Sequence, residues 1–245
     1  MMKVLTDFFL GFFRGSSFKP TIIILYSLLA LVCWKYIPAA PHLADLEGHQ
    51  ILDVNNCTPQ LFLLGARKIF AAFFLMGVGP FLIVKFLFRE KISDYGLRLG
   101  DFSRTVRTLM IYLPIMILIS FFSAAEKGFY AVYPYNPWSG AGSSAFWIHA
   151  VLYLFFYYLA WEFLFRGFIQ HGLEASCGLT NAILIQTLAS VMLHFGHPFT
   201  EVLGSIAGGL FWGFIVVRTR SLYSGWLQHA ALGIFLDYFL IRNIT

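Results

Sequence analysis

Charge is what this sequence has least of. Only 12% of its 245 residues are Asp, Glu, Lys or Arg, while 59% are hydrophobic and 19% aromatic. An ordinary soluble domain carries about a quarter charged residues. With a mean hydropathy of +0.74, the composition excludes that class and leaves an integral membrane protein. The net charge of +5 is small for the length. The basic residues stand at the ends of apolar segments rather than in one stripe, so they speak for membrane topology and against nucleic-acid binding.

Cysteine is scarce too. Cys33, Cys57 and Cys177 are odd in number and share no CxxC spacing, which removes a disulfide framework and a thiolate metal site. Neither HExxH nor GxSxG occurs, and no internal repeat or low-complexity tract is visible. The opening stretch MMKVLTDFFLGFFRGSS is broken by Asp7 and Arg14. It therefore lacks the uninterrupted apolar core of a cleaved signal peptide and reads as an amphipathic segment at the membrane surface.

What the chain has in quantity is apolar helix. A bilayer core about 30 Å thick takes about 20 apolar residues per span. Seven segments approach that length: 20–38, 69–88, 106–124, 146–172, 180–197, 201–217 and 221–241. The expected fold is an all-α polytopic transmembrane bundle of about seven spans, continuous as one membrane domain. Residues 1–145 hold the amphipathic segment and three spans, and residues 146–245 hold the other four.

Lys3, Arg14 and Lys19 in the N-terminal tail, Arg89, Lys91, Arg98, Arg104 and Arg107 in the second connection, and Arg218 and Arg220 in the sixth should share the cytoplasmic side. The connection at 39–68 carries Asp45, Glu47 and Asp53, and that at 125–145 is rich in aromatics, as an outer interface would be. Arg67 and Lys68 dissent from this pattern. The expectation is a cytoplasmic N-terminus.

Polar side chains in a membrane helix are costly and tend to face the bundle interior, where they mark function. Three spans carry such residues at i, i+4 spacing, which keeps them on one face. In the fourth span they are Tyr158, Glu162, Arg166 and Gln170. In the fifth they are Gln186, Ser190 and His194, with His197 a turn further. In the seventh they are His229, Gly233 and Asp237. If the fourth and fifth spans form a hairpin at Gly178, Glu162 and His194 each lie 16 residues from it and stand level. The glycines of the sixth span, Gly204, Gly208, Gly209 and Gly213, form two GxxxG spacings and read as packing surface.

A carboxylate level with an imidazole can hold and deprotonate a water, and a second imidazole can donate to the oxyanion formed when that water attacks an amide. Arg166 would favour the ionised state of Glu162, unless the pair merely neutralises itself and pins two helices. A zinc site is disfavoured because the candidate ligands are spread over three helices without the usual motif. His149 and His171 fall near span ends, where a surface position is expected. Ser190 lacks an evident activating triad.

WEFLFRGF, LASVMLHFGHP and WLQHAALGIFLD resemble, in order, the three motifs of the CPBP family, the CAAX-protease and bacteriocin-processing membrane proteins also called Abi. Those motifs are EExxxR, FxxxH, and HxxxN or HxxxD. The resemblance covers about residues 146–240. It implies a glutamic intramembrane endopeptidase that needs no metal or other cofactor. In such an enzyme a Glu and the first His activate water, and the second His, with its Asn or Asp, lines the oxyanion site.

On this resemblance Arg166, His194 and His229 match motif positions, and Glu162 is the retained second Glu. The first Glu is Trp161, the motif-two aromatic is Ser190, and the residue four after His229 is Gly233. The candidate catalytic set is Glu162 as base, His194 as its partner, His229 as oxyanion donor and Arg166. Asp237, His197 and Trp161 are accessory positions. The implied substrate is a membrane-tethered or membrane-inserted polypeptide, with processing or sorting of surface proteins as one setting. Two other readings stay open, a non-catalytic relative that binds a hydrophobic peptide or partner, and a small transporter using the polar faces as an ion path.

Overall fold

The computed structural model describes residues 15–37 and 59–244, together with Gly11. The amphipathic N-terminal segment and the acidic connection around Asp45, Glu47 and Asp53 lie outside these residues, save for the segment's last few. Among the described residues the chain is built from helices and turns with no strand. The seven long helices are α1 (Phe18–Lys35), α2 (59–88), α3 (Phe102–Ser123), α4 (Ser143–Cys177), α5 (Leu179–Leu193), α6 (Phe199–Thr219) and α7 (Leu222–Ile244). Five of them, α1, the part of α2 from Gly65 to Phe88, α3, α4 and α6, are long and apolar enough to cross a membrane.

Helix α5 is apolar but only 15 residues long, shorter than the 180–197 span expected from hydropathy. It stops at His194, its C-cap, after which Gly196 takes a left-handed φ of +96° and Pro198 cannot continue the turn. Helix α7 has the length of a span but carries Gln228, His229 and Asp237, the first and last of them fully buried.

Helix α4 is the axis of the bundle. Of its best 18-residue window 61% is buried, against 17–28% for the other spanning helices. It is not regular α-helix throughout. Wide π-type turns at Tyr153–Tyr158 and Phe163–His171 flank a short α segment, Leu159–Glu162, and such turns are frequent at functional sites. Aromatic side chains fill the space around it, with Trp161 edge-on to Trp34 of α1 and Phe168 edge-on to Tyr26.

The basic connections meet at one end of the bundle. Lys19 pairs with Glu90 at 2.7 Å, Arg98 donates to the Arg220 carbonyl, and the Asp101 amide donates to the Thr219 carbonyl. At the opposite end the Lys35 ammonium donates to the Leu193 and Phe195 carbonyls, capping α5. Lys68, a dissenter from the charge pattern, lies over the Trp34 ring. The connection from Ala124 to Gly142 folds over this second end in two short 3₁₀ turns.

Candidate functional site

The polar faces of α4, α5 and α7 converge on α6. Gln170 donates to the Gly213 carbonyl and Gln186 to the Gly209 carbonyl. A Cβ on Gly209 would crowd Thr187, and one on Gly213 would crowd Gln170, Gln186 and Ile183. These two glycines are packing surface, as their spacing suggested. Gly204 faces open space, and with Gly208 and Gly209 it lines a cavity of about 450 Å³.

Two groups of ionisable side chains border that cavity. The first is centred on His229. Its Nδ1 lies 2.7 Å from Glu162 Oε1, and Arg166 Nη1 lies 3.0 Å from the same oxygen. A carboxylate only accepts, so Nδ1 carries the proton and Nε2 is left for the cavity. The imidazole stacks on Trp212 at 4.2 Å and packs against Tyr158 at 4.8 Å, so its plane is fixed. His229, Arg166, Tyr158 and Trp212 line the cavity. Glu162 is fully buried behind them, its Oε2 without a hydrogen-bond partner.

The second group is centred on Glu201, in the first turn of α6. Its Oε1 accepts from Tyr133 Oη at 2.7 Å and His197 Nδ1 at 2.9 Å, and faces His194 Nε2 at 4.0 Å. His194 donates from Nδ1 to the Ser190 carbonyl at 2.9 Å, which leaves Nε2 as its free lone pair. His194, Glu201, Tyr133 and Ser190 all line the same cavity.

The expected neighbours are thus distributed differently from the reading by depth. Glu162 pairs with His229, while His194 faces Glu201. Trp161 stands between the imidazoles, its ring 6.0 Å from that of His194 and 6.2 Å from that of His229. Depth counting fixes height along a helix but not direction around it, and Trp161 takes the face of α4 that looks toward α5. Asp237 is engaged elsewhere. It pairs with His149 at 2.8 Å, both side chains fully buried, and accepts from the Tyr135 amide, tying the 124–142 connection to α7. The surface position expected for His149 is corrected by that pairing.

Gly233 has no side chain to offer the cavity, and the structure supplies a reason. A Cβ there would overlap the Tyr158 hydroxyl, which occupies the space instead. Glu201 is the functional candidate that sequence reasoning passed over, and its signal was present in HFGHPFTE, where His197 and Glu201 are one turn apart just after His194.

Fold and cavity together define an integral membrane protein whose described residues form helices and turns, with carboxylates, imidazoles and a guanidinium gathered around one cavity. Residues 143–235 match the model of a family described as type II CAAX prenyl endopeptidase Rce1-like. That stretch runs from the start of α4 into α7 and contains both ionisable groups except Tyr133. No curated protein and no solved structure matches the chain. Among the described residues, no set of three or more His, Cys, Asp or Glu side chains is arranged to hold a metal ion.

Proposed function

We propose that this protein is an intramembrane endopeptidase of the CPBP type, with a WExxxR form of the first motif, that hydrolyses a peptide bond in a membrane-tethered or membrane-inserted polypeptide. The observation that carries the reading is the convergence of His194 and His229 on one cavity inside an apolar bundle, each with its Nδ1 proton committed and its Nε2 available. The match of this region to an endopeptidase family supports it.

In this reading His229 is the imidazole of a Glu–His pair. Glu162 fixes its tautomer and balances the imidazolium formed when Nε2 takes a proton, which is then delivered to the leaving amine. Arg166 offsets the Glu162 charge while the imidazole is neutral. Glu162 acts through His229 rather than on the water. The Tyr158 hydroxyl, beside His229 in the space left by Gly233, is positioned to donate to the oxyanion that develops on the carbonyl. A polypeptide segment reaches the chemistry along Gly204, where α6 opens onto the cavity. We place the N-terminus in the cytoplasm of a bacterial cell and the cavity near the opposite face of the inner membrane.

The test is a mass-spectrometric comparison of protein termini in the membranes of cells making the wild type, His194→Ala or His229→Ala. Termini that require the wild type and vanish with either variant are expected. Equal sets of termini in all three strains would end the peptidase reading, and ion flux through liposomes bearing the purified protein would then favour transport.

A further inference from the structure

Glu201 is left over by the chemistry just described, yet its surroundings are those of a working carboxylate. Tyr133 comes from the connection that folds over the site, His197 from the turn after α5, and Glu201 from the next helix. Two stretches far apart in the chain, the 124–142 connection and the 197–201 turn, therefore converge to aim one carboxylate at His194. Glu201 Oε2 is buried and has no hydrogen-bond partner, although the residue borders the cavity. A carboxylate oxygen buried in that way is costly unless a donor reaches it.

The separation of His194 from Glu201 is informative. Nε2 is an acceptor because Nδ1 donates to the Ser190 carbonyl, and Oε1 is an acceptor, so the 4.0 Å between them is not a direct hydrogen bond. Two acceptors about 4–4.5 Å apart are what one water bridges when it donates to both with hydrogen bonds about 2.8 Å long. A water held so has both protons withdrawn from its oxygen and a lone pair facing the cavity.

We infer that Glu201 with His194 is the pair that seats and deprotonates the attacking water, so that the base belongs to α6 and not to the Glu162 position of α4. The inference rests on the peptidase reading. Water oxygen bonds to the carbonyl carbon as one water proton passes to the Glu201–His194 pair. The tetrahedral centre then re-forms its C=O and breaks the C–N bond as the nitrogen takes that first proton back from the pair, and the remaining hydroxyl proton passes to His229 Nε2 and from there to the freed amine. The products are a carboxylate and an ammonium, and no oxidant or other reactant is consumed. The same geometry accounts for Trp161, because with the base on α6 a residue between the imidazoles has only to exclude solvent.

The experiment extends the comparison of membrane-protein termini to Glu201→Gln and Glu201→Asp, each variant checked for folding by its thermal transition in detergent. Glu201→Gln keeps the shape and loses the charge, and is expected to reduce the wild-type-dependent termini by about 10²-fold or more, the scale of a lost general base. Glu201→Asp keeps the charge but withdraws it, and is expected to fall at least about 10-fold while folding normally. Folded Glu201→Gln with wild-type yields, alongside silent His194→Ala, would overturn the assignment and leave the peptidase reading intact. Should Glu201→Gln fail to fold, Glu201→Asp decides, with wild-type cleavage counting against the inference. If the His variants retain every terminus, both readings fall together.

Discussion

At Arg166 a guanidinium with 1% exposure pairs with a carboxylate with none. Removing one member of such a pair strands the other, at a cost of about 3–5 kcal/mol, whereas replacing both with apolar groups can be close to neutral. Arg166→Met should therefore lower the thermal transition in detergent sharply, and Arg166→Met combined with Glu162→Leu should recover most of the loss while remaining inactive. Gly233 makes a second residue-scale case. Gly233→Ala forces its methyl onto Tyr158, so it should cost stability and cleavage together, and adding Tyr158→Phe should restore stability in part without restoring activity. A double-mutant cycle on melting temperature and terminus yield checks both halves of that statement.

Between elements, the contacts at the two ends of the bundle differ in kind. At the basic end, burial pushes the Glu90 carboxyl up, but hydrogen bonds from Lys19 and Tyr95 and the Lys19 charge outweigh it and hold it below the ordinary value. A carboxyl depressed in the folded state contributes stability above its unfolded value of about 4.3, and the contribution disappears as pH falls through the lower folded value. Thermal transitions measured from pH 7 down to 3 should thus show a loss in the wild type below about pH 4 that Glu90→Gln lacks. Both side chains are about a third exposed, so the difference should stay under about 1 kcal/mol.

These elements were legible to different degrees. Helix existence followed from apolar length alone, and Glu162 with Arg166 from i, i+4 spacing. His229 with Glu162 was hidden, because it depends on the direction around α4 and on wide turns that shift it. Glu201 was hidden for another reason. Only the reversal at Gly196 and Pro198 brings the start of α6 back beside the end of α5, and hydropathy presents that start as the edge of a packing helix. Asp237 and His149 lie 88 positions apart in the chain, so no local pattern announced them.

Taken whole, the molecule has a polar site at the end away from its basic connections. Engineered single cysteines, placed in a background without Cys33, Cys57 and Cys177, would test the orientation we assign. Arg98→Cys should react with a membrane-impermeant maleimide only in inverted vesicles, and Lys127→Cys only in intact spheroplasts. The opposite pattern would reverse the orientation and leave the chemistry of the site untouched.

Helix α4 spans 35 residues, about 50 Å at ordinary helical rise and some 20 Å more than a hydrocarbon core requires. Its far tip, where Glu174, Ala175 and Ser176 are exposed and a Cβ at Gly178 would meet nothing within 4 Å, carries none of the cavity residues. That overhang is a natural handle. An epitope or a rigid fusion partner spliced in there would project from the end remote from the cavity, giving a small hydrophobic protein the bulk that particle alignment in electron microscopy needs.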